Sequence, residues 1–158
     1  MALAVLLAAS SLAACRVEDA RYVLRTAPDV TAEFRDVAGG PGWPNGLALR
    51  IHFAKSGRTY WFLPWNGGTD DLQNLASTTD VEAPGWRPPS PDSGDDRPLG
   101  DLLYIGADRD YRVLDHAPTR RTAAPAHFLI PELGDRTWHS NFDGAPKQFF
   151  DLTACALR

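Results

Sequence analysis

The 158-residue sequence is poor in lysine and carries the wrong net charge for a nucleic-acid-binding protein. Only Lys55 and Lys147 are lysines among 16 basic residues, and 20 acidic residues bring the net charge to −4. Binding to a phosphate backbone requires clustered positive charge, whereas the arginines here are scattered along the chain. We therefore expect no nucleic acid partner. The scattering favours a GC-rich genome over a phosphate- or carboxylate-recognition site as the origin of the arginine bias.

The sequence also lacks the motifs of common metal and catalytic sites. HExxH and CxxC are absent, and no two of the four histidines have a recognised metal-ligand spacing. Ser140 does not lie in a GxSxG motif. Asp108–Asp110 resembles a fragment of a calcium loop, but Arg112 and Val113 stand where an oxygen ligand and a glycine are needed. The sequence therefore predicts no metal and no cofactor, and it favours a protein that is not an enzyme.

No charged residue precedes Arg16. Residues 1–14 form an apolar segment that contains no proline or glycine. A transmembrane helix needs about 20 apolar residues, so this segment is too short to span a bilayer. Its length and composition are typical of the hydrophobic region of a secretory signal.

Leu12-Ala13-Ala14-Cys15 closes this segment and resembles the lipobox of bacterial lipoprotein precursors. The resemblance implies cleavage after Ala14, lipid attachment at Cys15 and a membrane partner bound through that lipid. Arg16 stands where Asp would favour retention at the inner membrane, so the resemblance implies the outer membrane, with the domain facing the periplasm. Two other interpretations stay open: an ordinary secretory signal cut near Ala14, and an apolar first strand or helix of a cytosolic domain.

The chain has two cysteines, Cys15 and Cys155. If Cys15 carries lipid, Cys155 is the lone thiol, and we expect it to be buried as a small hydrophobe. If Cys15 carries no lipid, a Cys15–Cys155 disulfide between the termini is the alternative in an oxidising compartment.

Period-two alternation provides the main fold signal. Residues 47–53 alternate strictly between apolar and polar or small side chains, and residues 59–63 form a second strand with large apolar groups on both faces. A turn joins them into an antiparallel hairpin. Further strands are predicted at 30–37, 102–105, 111–114, 126–130 and from 148 onward, with 102–105 and 111–114 paired as a second hairpin. One short helix is predicted over 69–77.

These elements predict a mainly β fold, a small antiparallel β-sandwich or barrel with one short helix and long Pro/Gly-rich loops. The expected organisation is a lipoprotein signal peptide over 1–14, a lipid anchor and tether over 15–31, and a single β-rich domain over 32–158. The segment near 82–98 is rich in proline and acidic residues, so we predict an exposed, mobile loop there.

Candidate site residues come from a polar and aromatic segment at 138–144, which we interpret as a loop. Trp138, His139 and Asp143 are its candidates for ligand binding. Five tryptophans, at 43, 61, 65, 86 and 138, are a second signal, and Trp43 and Trp86 are expected near the surface.

Three functions are open at this stage. The first is a lipid-anchored cell-envelope domain with a binding or structural-interaction role, whose partner is an envelope protein or a glycan. The second is a glycan- or peptidoglycan-binding module that uses exposed tryptophans. The third is an envelope hydrolase that uses His139 and a carboxylate.

Overall fold

A computed structural model describes residues 15–40, 42–65 and 73–156. The segment 1–14, with the first three lipobox residues, lies outside the described residues. Within the described ranges the chain forms nine strands and one α-helix, which confirms the predicted mainly β fold. The elements are β1 (Ala20–Leu24), β2 (Ala27–Asp36), β3 (Leu47–Phe53), β4 (Arg58–Trp65), β5 (Asn74–Thr78), β6 (Asp101–Leu103), β7 (Ile105–Ala107), β8 (His127–Leu129), α1 (Leu133–Asn141) and β9 (Phe150–Cys155). No helix in these ranges is long and apolar enough to cross a bilayer.

All nine strands belong to one antiparallel sheet in the order β6-β5-β4-β3-β2-β1-β9-β8-β7. Its two ends, β6 and β7, are consecutive in the chain and are separated only by Tyr104. Since β6 pairs with β5 and β7 pairs with β8, residues 101–107 connect both ends of the sheet. The result is a nearly closed barrel.

Aromatic side chains fill the interior of the barrel, which we call the main core. The Phe128 ring lies at its centre, with ring centroids 4.9 Å from Tyr22, 5.4 Å from Tyr104, 6.0 Å from Phe34 and 4.7 Å from Phe150. All five rings are almost completely buried. Edge-to-face and offset-stacked contacts of this kind stabilise a core beyond the burial of area alone.

A second hydrophobic cluster lies on the opposite face of the sheet. This outer cluster consists of Trp43, Ala48, Trp61, Leu63 and Ala76. Trp61 and Leu63 enter it from the same strand that sends Tyr60 and Phe62 into the main core. The expectation that this strand carries large apolar groups on both faces is confirmed, and the structure buries both faces.

The proline-rich segment 82–98 has no helix or strand, and most of its residues are exposed. Part of it covers the outer cluster. The indole N–H of Trp43 donates to the Pro89 carbonyl at 2.7 Å, and Trp43 is only 4% exposed, although it was expected near the surface. The Arg97 guanidinium lies 5.6 Å from the Trp43 ring and 5.5 Å from the Trp65 ring. Cation–π contacts therefore help to hold this segment against the barrel.

The predicted helix over 69–77 is wrong for the part that can be compared. Residues 69–72 lie outside the described residues, and Asn74–Thr78 is strand β5. Leu75 points into the main core, whereas Ala76 joins the outer cluster. Burial on alternating faces requires a strand, and it overrides the helical spacing of the apolar residues.

Two other predicted elements are also different. Residues 111–114 do not form a strand. Their predicted partner, 102–105, lies in β6 and β7, which already pair with β5 and β8. A single bridge joins Ala107 to Val113. The segment 138–144, expected as a loop, is helical in its first half, because α1 continues to Asn141. Leu133 and Thr137 are its buried residues, four positions apart on one face of the helix.

The segment 15–31, expected as an anchor and tether, contributes to the barrel. Strand β1 lies between β2 and β9. Ala20, Tyr22 and Leu24 alternate with partly exposed residues and are at most 1% exposed. This period-two burial explains why the segment forms a central strand.

A disulfide joins Cys15 to Cys155. Of the two alternatives for Cys155, the structure has the disulfide rather than the lone thiol, because the pairing of β1 with β9 brings the segments that carry Cys15 and Cys155 together. Cys15 is 3% exposed and packs in the main core. Lipid attachment at Cys15 would use the same sulfur and stays a prediction.

We expect Cys155→Ser to lower the free energy of unfolding by about 4 to 5 kcal/mol, because the disulfide closes a very long loop in the unfolded chain. Urea denaturation with and without dithiothreitol measures the change. Reductant should lower the stability of the wild type to that of the variant and leave the variant itself unchanged. A wild type insensitive to reductant would contradict the prediction.

Candidate functional site

Two exposed aromatic residues mark the C-terminal end of helix α1. Trp138 is 53% exposed and Phe142 is 78% exposed. Their ring centroids are 5.7 Å apart and the rings are nearly perpendicular. We call Trp138 and Phe142 the aromatic pair. Large apolar side chains exposed together in this way are typical of binding surfaces.

The end of the helix determines where the Phe142 ring lies. Phe142 has a left-handed backbone conformation with φ of 60°, and its N–H donates to the Trp138 carbonyl at 2.9 Å. The Thr137 hydroxyl donates to the Asp143 carbonyl. A left-handed conformation is costly for a residue other than glycine, and strained backbone of this kind is concentrated at functional sites.

Asp143 anchors the end of the helix to the β3–β4 hairpin. Its carboxylate is buried, accepts a 2.6 Å hydrogen bond from the Tyr60 hydroxyl and forms an ion pair with Arg58 at 3.4 Å. Burial by itself raises the pKa of Asp143, but hydrogen bonds from Tyr60, Ser56 and Arg58 outweigh burial and bring the pKa below its usual value. Burial and the same hydrogen bond raise the pKa of Tyr60 to about 12.

A cavity of about 600 Å³ adjoins Phe142 of the aromatic pair. We call it the site cavity; its wall includes Phe142, Asn141, Lys55, Ser56 and Arg58. An amide, a hydroxyl, an ammonium and a guanidinium group thus surround one opening, beside an exposed aromatic ring. Such a wall offers both hydrogen-bond donors and acceptors to a polar ligand.

His139 lies apart from this cavity. Its Nδ1 is 2.7 Å from the Asp135 carbonyl one helical turn earlier, and the side chain lines a different cavity of about 440 Å³. Among the described residues, no hydrogen bond joins His139 to a carboxylate. The structure therefore brings Trp138 and Asp143 together at the end of the helix and places His139 elsewhere.

The five tryptophans all lie in the described ranges, and they do not form an exposed row. Trp43 and Trp61 are buried, and Trp65 and Trp86 pack beside the outer cluster. Trp138 is the one that presents more than half of its surface to solvent. Among the tryptophans of the described ranges, an exposed aromatic surface is therefore limited to Trp138, which lies beside Phe142.

Sequence reasoning missed a polar cluster on another face of the barrel. Arg25 binds both carboxylate oxygens of Asp151, at 2.9 and 2.7 Å, and also donates to the Tyr111 hydroxyl at 2.7 Å. His127 Nδ1 is 2.7 Å from Asp151, and the Tyr111 ring stacks on the His127 ring at 4.3 Å. The hydrogen bond from Arg25 lowers the pKa of Asp151, and His127 contributes to the same shift.

This cluster holds the loop that carries Tyr111 against the barrel. Asp151 and His127 are cross-strand neighbours on β9 and β8, and Arg25 directly follows β1. No local pattern reveals the cluster, because the contact depends on the register between strands far apart in the chain. In the described ranges, no three His, Cys, Asp or Glu side chains converge as metal-ion ligands.

We expect Asp143→Asn to lower the free energy of unfolding at pH 7 by about 1 to 2 kcal/mol, as a buried hydrogen bond to a charged group is weakened. The folded state favours ionised Asp143 and Asp151, whose pKa values lie below the ordinary 3.8. Their contribution is therefore complete above the unfolded-state pKa and is lost as the pH falls through the lower folded-state values.

Urea denaturation between pH 7 and pH 2 measures this loss. The variant should lose less stability than the wild type on acidification, since one of the two carboxylates is gone. Asp110→Asn is the matched control, because this carboxylate is 70% exposed; it should reproduce the wild-type curve. Parallel curves for wild type and Asp143→Asn would contradict the assignment.

No protein-family model, curated protein or solved structure matches this chain.

Proposed function

We propose that the chain is an exported domain of the bacterial cell envelope that acts by binding, and that its ligand is an envelope glycan. The observation that carries this proposal is the aromatic pair beside the site cavity. Trp138 and Phe142 offer exposed rings, and the cavity next to them is lined by polar groups. Most other large apolar side chains in the described ranges are buried.

The chemistry of this surface fits a sugar better than a purely apolar partner. A pyranose ring has an apolar face of C–H groups, which stacks on an aromatic ring, and a rim of hydroxyls, which both donate and accept hydrogen bonds. Lys55, Ser56 and Arg58 are exposed around the cavity and supply partners for such hydroxyls. An exposed aromatic anchor next to a few directional polar groups is a common arrangement at binding sites.

Binding fits this surface better than hydrolysis does. Glycosidases use a pair of carboxyl groups, one of which must stay protonated as a general acid through a raised pKa. Two carboxylates line the site cavity. Asp29 forms an ion pair with Lys55 at 3.3 Å. The pKa of Asp143 is lowered, and its carboxylate is already engaged by Tyr60 and Arg58. His139 is separated from Asp143 and bonded to its own helix. These contacts favour an anchoring role for Asp143.

Export to the envelope is supported by the Cys15–Cys155 disulfide and by the sequence of residues 1–14. A structural disulfide such as Cys15–Cys155 persists in oxidising compartments and is rare in the cytosol. The apolar segment 1–14 is typical of a secretory signal. The lipoprotein form, with acylated Cys15 at the outer membrane and the domain facing the periplasm, is an alternative version of the same export. It is mutually exclusive with the disulfide, because both use one sulfur atom.

We expect Trp138→Ala to weaken binding to soluble peptidoglycan fragments about tenfold or more, as expected when an interface loses an exposed aromatic anchor. Phe142→Ala should have a similar effect. Isothermal titration calorimetry measures the affinity, and circular dichroism checks that each variant folds. Val113→Ala is the matched control, because Val113 is 63% exposed and does not line the site cavity. Wild-type affinity in both aromatic variants, or no glycan binding by the wild type, would contradict the proposal.

The state of Cys15 in cells is a separate prediction. We expect the mature protein, purified from a bacterial host without reductant, to begin near Cys15 and to carry the Cys15–Cys155 disulfide. Intact mass spectrometry before and after reduction should show the gain of two hydrogens. Acylated Cys15 in the membrane fraction would establish the lipoprotein form instead. An uncleaved chain with two free thiols would contradict export in either form.

A further inference from the structure

Two ion pairs line the site cavity, and in both of them the cation is the exposed partner. The Lys55 ammonium lies 3.3 Å from the Asp29 carboxylate, and the exposed fractions of these side chains are 83% and 27%. The Arg58 guanidinium lies 3.4 Å from Asp143, with exposed fractions of 50% and 7%. The wall thus contains two cations and two anions, but the charge that it presents to solvent is positive, because both carboxylates are the more buried partners.

The Arg58 guanidinium has hydrogen-bond donors left for a ligand. Its contacts with the Asn141 carbonyl and the Asp143 carboxylate, at 3.0 to 3.5 Å, all use one nitrogen, Nη1. Its Nε and Nη2 donate no hydrogen bond to any residue that the structure describes. These two nitrogens form an edge of the guanidinium that can bind both oxygens of an anionic group. Because half of the side chain is exposed, a molecule in the cavity can reach it.

The β3–β4 turn holds both cations at the cavity. The Ser56 hydroxyl donates to the Phe53 carbonyl at 3.5 Å and accepts a hydrogen bond from the Arg58 backbone N–H at 3.3 Å. Lys55 directly precedes Ser56, and Arg58 begins β4. The ion pair with Asp143 further restricts the Arg58 side chain. Since this donor is positioned before a ligand arrives, less conformational entropy is lost on binding.

We propose that the ligand of the site cavity is an acidic sugar, whose carboxylate is bound by Arg58 and attracted by Lys55 while its ring contacts Phe142. A carboxylate carries one negative charge, whereas a phosphate monoester carries about 1.5 to 2. Because both cations are already paired, the singly charged group leaves less uncompensated charge at the cavity. This inference rests on the proposed glycan-binding function and specifies the class of sugar.

The experiment uses the disaccharide of N-acetylglucosamine and N-acetylmuramic acid, which carries one carboxylate, and its carboxamide, in which a neutral amide replaces that carboxylate. Chemical-shift titration by NMR, with the disulfide-bonded protein, measures both dissociation constants. We expect the wild type to bind the acid about 3- to 10-fold more tightly, as a charge-assisted hydrogen bond is stronger than a neutral one. Added salt should reduce this preference, because charges at an exposed site are screened.

Three variants locate the anion site. Lys55→Gln and Arg58→Gln should each reduce the preference for the acid. Arg58→Gln also removes a partner of the buried Asp143 carboxylate, so circular dichroism checks its fold, whereas Lys55→Gln changes a highly exposed side chain and tests the proposal without this complication. Arg109→Gln is the matched control, because Arg109 is exposed and does not line the site cavity; it should keep the wild-type preference.

The possible failures are distinguishable. Equal affinity of the wild type for the acid and the carboxamide would overturn the acidic sugar and leave the glycan function intact, whereas no binding of either disaccharide would overturn both. An undiminished preference in Lys55→Gln and Arg58→Gln would place the anion site elsewhere. Tighter binding of diacetylchitobiose 6-phosphate than of the acid would replace the carboxylate with a phosphate group.

Discussion

The closure of the sheet by a single short segment is the constraint on which the rest of this structure depends. Residues 101–107 pair with β5 in their first half and with β8 in their second half, so one stretch of chain supplies both ends of the barrel. Tyr104, at the junction, must turn its side chain into the main core. Closure satisfies the backbone groups that an open antiparallel sheet would leave unpaired at its edges, and it encloses the aromatic rings around Phe128.

Closure also determines which faces remain available for function. The interior is occupied by packed rings, so ligands must bind outside it or at the places where loops cross the barrel wall. The outer cluster uses one external face and is covered in part by segment 82–98. Helix α1 contributes Leu133 to the main core and is held by Asp143 to the β3–β4 hairpin. The aromatic pair lies at the end of this helix, beside the open and polar site cavity.

The sequence was most informative where local pattern and tertiary burial agree. Strict alternation located β3 to the residue. Large apolar groups on both faces of β4 indicated a strand buried on both sides, because successive side chains of a strand point to opposite faces of the sheet. Local pattern failed at β5 and α1. Leu75 and Leu72 have helical spacing, yet Leu75 and Ala76 are buried on opposite faces of a strand. Most residues of α1 are polar, as in a loop. The helix is distinguished by the burial of Leu133 and Thr137 on one face.

The sequence by itself determined the mainly β class and the β3–β4 hairpin, since these depend on side chains close together in the chain. Only the tertiary structure decided the partners of distant residues. It paired Cys15 with Cys155 and assembled Arg25, His127 and Asp151. The physical reason is that these contacts depend on which strands become neighbours and in which register, and strands far apart in the chain meet only in the folded sheet.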